Sequence, residues 1–214
     1  RYYRVLINAA NSGCDQAITN VVTVNITPDL SITTQPTPII ECLGGTSQLH
    51  VVTANGSGTI TYTWQTSPNG TSSWTNASGT GSATPDYTPP STSTCVLWYR
   101  VLINASANGC ESQQSDTVRV TITPDLSVTT QPASVTECIG GTDQMFVAVT
   151  GGSGSIIYQW QTSTTGVSAS FTNISGANTT SYTPPSTVAG TTYYRVMITA
   201  GASGCDAVVS LNAT

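Results

Sequence analysis

The sequence contains no lysine, and only 7% of its 214 residues are charged. Five arginines are outnumbered by ten acidic residues, which gives a formal net charge of −5. Nucleic-acid binding requires clustered basic residues that displace counterions, so this balance excludes nucleic acid as a partner. No apolar run approaches the ~20 residues that span a bilayer, so membrane insertion is not expected. Without lysine, isopeptide cross-links between lysine and asparagine are excluded as well.

What the sequence does have is an internal repeat with a period of about 96 residues. Tyr-Arg-Val occurs three times, and each copy is followed by a Gly-Cys pair that ends at Cys14, Cys110 or Cys205. Residue 1 therefore falls inside a repeat rather than at its start. The other repeated blocks are Ile26–Ser31 with Ile122–Ser127, Glu41–Thr46 with Glu137–Thr142, Trp64–Ser67 with Trp160–Ser163, and Tyr87–Thr92 with Tyr182–Thr187.

This repeat predicts three segments. Residues 1–28 are expected to be the C-terminal strands (F and G) of a preceding repeat, 29–124 a complete repeat, and 125–214 a second, nearly complete one. Within a repeat the apolar residues alternate with period two, and Gly and Pro clusters separate short runs, so the fold class is all-β. A tryptophan on the third of about seven strands favours tandem immunoglobulin-like β-sandwich repeats. In the first repeat we expect strands at 30–36 (A), 46–54 (B), 60–67 (C), 73–78, 84–88 (E), 96–104 (F) and 115–123 (G).

Two sets of recurring side chains have predicted roles. Aromatic residues at matching positions of strand C are expected to form the structural core; they are Tyr62, Trp64, Tyr158 and Trp160. An arginine follows an aromatic residue on strand F in each copy; these are Arg4, Arg100 and Arg195. The arginines could form a row of ligand-binding groups along a fibre. The favoured interpretation is structural, with each guanidinium stacked on an aromatic ring or paired with an acid.

Catalytic, cofactor-binding and metal sites are not predicted. The only histidine is His50, no Cys-x-x-Cys pair exists, and so zinc is a poor fit. The residue that matches His50 in the next repeat is Phe146, and no nucleophile motif accompanies the histidine, so a general base is not expected. Asp29 and Asp125 lie where calcium could stiffen a junction, but a single acid supplies too few of the oxygens that calcium requires. We therefore expect that this protein is not an enzyme.

The six cysteines of this Thr- and Ser-rich chain indicate an oxidising, extracellular setting. Cys42 precedes strand B and Cys110 follows strand F. Because B and F run in the same direction, the two residues should lie at opposite ends of one sandwich, too far apart for a disulfide. The A–B corner of one domain faces the F–G corner of the next, which predicts an inter-domain bridge between Cys42 and Cys205.

If this bridge recurs along an array, Cys14, Cys110 and Cys138 pair with other repeats. The alternative that the sequence leaves open is a pair of intradomain bridges, Cys42–Cys110 and Cys138–Cys205. Cys95 has no counterpart in the next repeat, so it is expected to be either free and buried or a rival partner for Cys42 at the E–F corner.

The motifs together resemble a known group of proteins. These motifs are Cys-x-Gly-Gly before strand B, Tyr-x-Trp on strand C, Tyr-Tyr-Arg-Val on strand F and the Gly-Cys that follows. They are similar to the Ig-like repeats of giant cell-surface adhesins of the phylum Bacteroidota, including gliding-motility adhesins and grappling-hook filaments. The resemblance implies export by the type IX secretion system, display as a long surface fibre, and no catalytic residues.

The function expected from these observations is a non-enzymatic, structural and adhesive segment of a long extracellular filament at the cell surface. Its partners would be further copies of the repeat in the same chain. Lateral homo-oligomers forming a fibre are also expected, because low charge removes the repulsion that keeps chains apart. The alternative is a carbohydrate-binding or spacer module of a secreted multidomain enzyme, for which Trp98 is the aromatic residue to inspect.

Overall fold

The computed structural model describes residues 1–8, 13, 15–107 and 110–214. Its described elements are β-strands apart from one short 3₁₀ helix, Ser168–Ser170. In this part of the chain, no helix has the length and apolar character needed to cross a bilayer. Two separate hydrophobic cores are formed, one around Trp64 and one around Trp160. The predicted fold class is confirmed: the chain is all-β and carries Ig-like sandwiches in tandem.

The strands are numbered in chain order. Residues 1–28 contain two antiparallel pairs, β1 with β4 and β2 with β3; their bounds are Tyr2–Tyr3 (β1), Leu6–Ile7 (β2), Ala17–Ile18 (β3) and Val22–Thr23 (β4). The first complete repeat has ten strands: Ser31–Thr34 (β5), Ile39–Cys42 (β6), Leu49–His50 (β7), Val52–Ala54 (β8), Ile60–Ser67 (β9), Thr75–Asn76 (β10), Asp86–Tyr87 (β11), Cys95–Ala105 (β12), Gln113–Gln114 (β13) and Val118–Thr123 (β14).

The second repeat follows the same plan. Its strands are Ser127–Thr130 (β15), Met145–Phe146 (β16), Ala148–Thr150 (β17), Ile156–Ser163 (β18), Thr172–Asn173 (β19), Ser181–Tyr182 (β20), Tyr193–Ala200 (β21) and Val208–Val209 (β22). One sheet has the order β19-β18-β21-β22, and the pairs β15–β17 and β16–β20 lie opposite it across the core. In the first repeat the larger sheet has the order β10-β9-β12-β14-β6, with β13 also paired to β12.

Strand A differs from the prediction. Within the expected range 30–36 the structure has only β5, and a second strand, β6, follows outside that range. The two strands join different sheets, since β5 pairs with β8 whereas β6 runs parallel to β14. Pro36 and Pro38 lie between them, and proline cannot donate to a strand ladder, so the chain leaves one sheet and enters the other there. This switch carries Cys42 to the end of the larger sheet, beside Thr123.

The core of each sandwich is organised around a stacked series of aromatic rings. Trp64 is fully buried, its Nε1 donates to the carbonyl of Thr84 at 2.9 Å, and its ring lies 5.6 Å from that of Tyr87. Tyr87 in turn contacts Tyr99 at 5.6 Å. Tyr62 is only partly buried and packs at the border of this core. The matching set in the second repeat is Trp160, Tyr182, Tyr194 and Tyr158.

Stability should fall at alkaline pH because of these buried phenols. Burial raises the pKa of Tyr87 above its usual value near 10, as it does for Tyr99 and Tyr182. An unfolded tyrosine ionises near pH 10 while the buried phenol stays protonated, so the unfolded chain binds fewer protons and stability is lost as pH rises. We expect the free energy of unfolding to stay level up to about pH 10 and to decline above it.

The measurement is urea unfolding between pH 8 and pH 12, in which Tyr87→Phe should flatten the decline. The matched control is Tyr2→Phe, since Tyr2 is 78% exposed and should leave the profile unchanged. Equal slopes for Tyr87→Phe and the unaltered chain would contradict the assignment.

Candidate functional site

The junction between the first and second repeats is closed by a covalent bond. Cys42 and Cys205 form a disulfide across 163 residues, with their Cα atoms 4.9 Å apart. Cys42 lies at the end of β6 in the first repeat, and Cys205 lies between β21 and β22 in the second. This is the inter-domain pair that the strand directions predict, and it excludes the alternative bridges within one domain.

Hydrogen bonds hold the F–G corner of the second repeat against the A–B corner of the first. Ser203 supplies two of them: its carbonyl accepts from the amide of Cys42 at 2.9 Å, and its Oγ accepts from the amide of Thr46 at 3.0 Å. Nearby, the hydroxyls of Thr123 and Ser153 lie 2.9 Å apart across the junction. The disulfide is therefore part of a docked surface rather than a bond between two loose loops.

Gly204 explains why glycine precedes the bridging cysteine. Its φ is +75°, and a Cβ at this position would overlap the backbone of Leu43 and Gly45. Only glycine combines this backbone conformation with so close an approach to another chain segment. The recurring Gly-Cys pair in the sequence is the signal for this contact.

Substituting Gly204 by alanine should loosen the junction. Positive φ costs alanine about 1 kcal/mol, and overlap with fixed backbone adds roughly 1–3 kcal/mol. Gly176→Ala in the same repeat is the matched control, because Gly176 has a φ of +74° and nothing within 4 Å of the added Cβ. Urea unfolding should show a larger loss for Gly204→Ala than for Gly176→Ala; equal losses would mean that the corner can move aside at no cost.

The remaining cysteines are not cross-linked in this structure where it describes them. Cys95, Cys110 and Cys138 are free thiols; Cys138 is exposed, and the other two are partly buried. Burial raises the pKa of the Cys95 thiol. Cys14 lies outside the described residues.

The second repeat presents the same corner as the first. The amide of Gly141 donates to the carbonyl of Cys138 at 2.9 Å, as that of Gly45 does to Cys42 at 3.1 Å. The amide of Asp143 donates to the carboxylate of Glu137 at 3.0 Å, as that of Ser47 does to Glu41. The A–B corner around Cys138 therefore has the same local hydrogen bonds as the corner around Cys42, which receives the F–G corner around Cys205.

The recurring arginines of strand F form a second repeated arrangement. The guanidinium of Arg100 lies 4.2 Å from the ring centroid of Trp74, and its Nε donates to Oε1 of Gln65 at 2.9 Å. The corresponding groups in the second repeat are Arg195, Phe171 and Gln161, at 4.2 Å and 2.7 Å. Arg4 is exposed in the N-terminal segment. Arg100 and Arg195 are therefore both stacked on aromatic rings.

This stack should contribute measurable stability. We expect the energies of Arg100→Ala and Trp74→Ala to be non-additive, with a coupling of about 0.5–1 kcal/mol, because the cation lies over the ring face. A double-mutant cycle by urea unfolding measures this coupling, and Arg119→Ala combined with Trp74→Ala is the control pair. Additivity within about 0.3 kcal/mol for the first pair would mean that the stack is energetically neutral.

His50 and the junction acids show no arrangement that points to chemistry. The Nδ1 of His50 contacts the carboxylate of Asp86, and both side chains are about half exposed. Asp29 is exposed, and Asp125 is partly buried. Across the described ranges, no group of three or more His, Cys, Asp or Glu side chains is placed to hold a metal ion.

Comparison with solved structures supports the fold. The chain is similar to extracellular domains 3-5 of Drosophila OTK, with 12% identity, a TM-score of 0.50, and coverage of 99% of this chain and 69% of that one. It is also similar to immunoglobulin domains 1-5 of Sidekick-1, with 11% identity, a TM-score of 0.44, and coverage of 100% and 46%. At 12% identity, the similarity to OTK shows the fold alone.

Comparison of sequences adds a family. Residues 34–124 and 128–214 each match the model of a family described as "Domain of unknown function (DUF8696)". No curated protein matches the sequence.

Proposed function

Because the two matched segments cover most of its length, the chain belongs to the DUF8696 family, and we propose that it is a non-enzymatic, load-bearing and adhesive segment of a long extracellular surface filament. On the motif resemblance, we assign this filament to the cell surface of a member of the Bacteroidota that exports it by type IX secretion. The observation that carries the load-bearing role is the disulfide between Cys42 and Cys205, which joins neighbouring repeats.

The bridge changes how tension would travel through the chain. A force applied to the two ends would enter the covalent bridge at Cys42 and leave it at Cys205. The 163-residue separation between these two cysteines is then bypassed, so most of both cores is shielded from the force. The parts of the cores that remain under load are those before Cys42, such as Leu30 and Ile39, and those after Cys205, such as Ala213. A junction that is bonded at the linker and again at the corner also resists bending.

The same brace is proposed to recur in an array. Cys138 is exposed and its corner has the geometry of the corner at Cys42, so we expect it to pair with the F–G cysteine of a following repeat. Cys110 would pair in the same way with the A–B corner of a preceding repeat. Overlapping bridges of this kind would shield every repeat along the filament. Several such chains are proposed to associate laterally into one fibre, since the low charge gives little repulsion between them.

Single-molecule pulling from the two ends tests this role. Under oxidising conditions we expect extension to stop short, because the residues between Cys42 and Cys205 cannot unravel. Reduction with dithiothreitol should add about 540–590 Å of contour length for 163 residues. Cys138→Ser, which removes an unbridged thiol, should leave both extensions unchanged. Full extension of the oxidised chain would contradict the load-bearing role.

A further inference from the structure

One outer surface of the first repeat has a distinct chemistry. We call it the arginine face and define it by Gln65, Trp74, Trp98, Arg100 and Arg119. Trp98 and Arg100 alternate along β12 with buried residues, so they point away from the core. Arg119 lies directly opposite Trp98 on β14 and is exposed. Gln65 lies opposite Arg100 on β9.

The charge of this face opposes that of the whole chain. The sequences of β9, β10, β12, β13 and β14 contain no aspartate or glutamate, and their only charged residues are Arg100 and Arg119. The one acid of the same sheet is Glu41 on β6, which is fully buried. A chain with a net charge of −5 therefore presents a local positive surface here, to which an anion would be drawn.

Arg100 is held in a fixed orientation. The centroid of the Trp74 ring lies 4.2 Å from its guanidinium carbon. Its Nε donates a hydrogen bond to Oε1 of Gln65, with 2.9 Å between the nitrogen and the oxygen. Among the described residues, the hydrogen bonds of this side chain involve Nε only. Its two terminal nitrogens therefore remain to bind a carboxylate in the bidentate manner that suits a guanidinium.

Trp98 adds a ring surface between the two cations. It is partly buried, because it packs against Gly70, where a Cβ would lie 2.7 Å from the indole. Arg119 is one strand away, about 5 Å, and Arg100 is two residues along the strand, about 7 Å. Cation, aromatic ring and cation thus alternate over the width of one or two sugar rings.

Part of the arrangement recurs in the second repeat. Tyr193 packs against Gly166 as Trp98 does against Gly70. Arg195 stacks on Phe171 and bonds to Gln161 as described above, and its Nη1 also donates to Oγ of Ser168 at 3.1 Å. The residue that matches Arg119 is Thr214, so the second repeat lacks the second cation and the complete arginine face belongs to the first repeat.

We infer that the arginine face binds an acidic polysaccharide, with a uronate carboxylate on Arg100 or Arg119 and a sugar ring packed against Trp98. This inference rests on the adhesive part of the proposed function and is independent of the load-bearing bridge. Aromatic rings provide the apolar surface that a sugar ring covers, and the guanidinium provides selectivity for the acid. Its failure would leave the pulling result unaffected, so the two are separately testable.

Titration calorimetry of the full chain with an alginate tetrasaccharide tests the inference, and neutral maltotetraose serves as the reference ligand. We expect binding of alginate only, weakened strongly by 1 M salt, because exposed charges are screened. Arg119→Gln should lower the affinity roughly tenfold without altering stability, because the side chain is exposed and lost charge-assisted hydrogen bonds are of that size. Trp98→Ala should lower it by a similar factor.

The matched control is Arg1→Gln, which removes the same charge from the N-terminal segment. Equal losses for Arg1→Gln and Arg119→Gln would overturn the inference, since binding would then follow net charge alone. Absence of alginate binding would overturn it as well. Tetraglutamate bound as tightly as alginate, with no effect of Trp98→Ala, would show a general anion surface rather than a saccharide site.

Discussion

Replacing both Cys42 and Cys205 by serine is expected to lower the free energy of unfolding by about 3–5 kcal/mol. The disulfide spans 163 residues, so its loss releases a long loop in the unfolded ensemble, which is where most of the stabilisation arises. Urea unfolding of the oxidised chain and of the double variant measures the difference. We also expect the two repeats, coupled in the oxidised chain, to unfold in separate transitions once the bond is gone.

Two controls separate the cross-link from local packing. Cys138→Ser removes an exposed free thiol at the matching corner of the second repeat and should change stability by less than about 0.5 kcal/mol. Reduction of the unaltered chain leaves the buried Cys42 side chain in place, and it should reproduce most of the loss seen in the double variant. If reduction had no effect while the serines destabilised, packing rather than the bond would be responsible.

Truncating the buried tryptophan of either repeat should have an effect of similar size. Trp64→Ala is expected to cost about 3–5 kcal/mol, since the side chain is fully buried and stacks on Tyr87. Trp64→Phe should cost less, because it keeps a ring in the cavity while losing the hydrogen bond to Thr84. Hydrogen exchange during urea unfolding shows which repeat is affected.

The second repeat and the outer face of the first provide internal controls for the effect of removing Trp64. Trp160→Ala should weaken the second repeat as Trp64→Ala weakens the first, because both side chains are fully buried. Trp98→Ala, which removes a partly exposed tryptophan from the outer face of the same sheet, should cost no more than about 1 kcal/mol. A loss for Trp98→Ala as large as that for Trp64→Ala would contradict the assignment of the core.

Much of the fold could be predicted from local pattern. Period-two alternation places β9, β12 and β14 close to their observed bounds, because these strands bury one face and expose the other. The division of strand A was not predicted. Its second half, Ile39–Cys42, is held by a parallel ladder to β14, which is about 80 residues away in the sequence, and no local pattern encodes that partner.

The arginine stacks also were predictable only in part from the sequence. The recurrence of Arg100 and Arg195 after an aromatic residue favours a structural role, and the ring that each contacts is nevertheless on another strand. Trp74 and Phe171 occupy matching positions, which indicates a shared apolar requirement. That these rings lie beneath a guanidinium follows only from the pairing of β9 with β12 and of β18 with β21.

The sequence by itself determined the all-β class, the period of the repeat and the direction of its strands, because alternation and turn residues act over a few neighbouring positions. From those directions it also predicted the inter-domain pair Cys42–Cys205, while the intradomain alternative Cys42–Cys110 stayed open until the structure showed the bridge. Tertiary structure decided burial and contact. Tyr62 and Trp64 lie on the same face of β9, yet Trp64 is fully buried and Tyr62 only partly, because Tyr62 packs at the border of the core. The close backbone contact between Gly204 and Gly45, beside the bridge from Cys42 to Cys205, likewise exists only where two folded repeats meet.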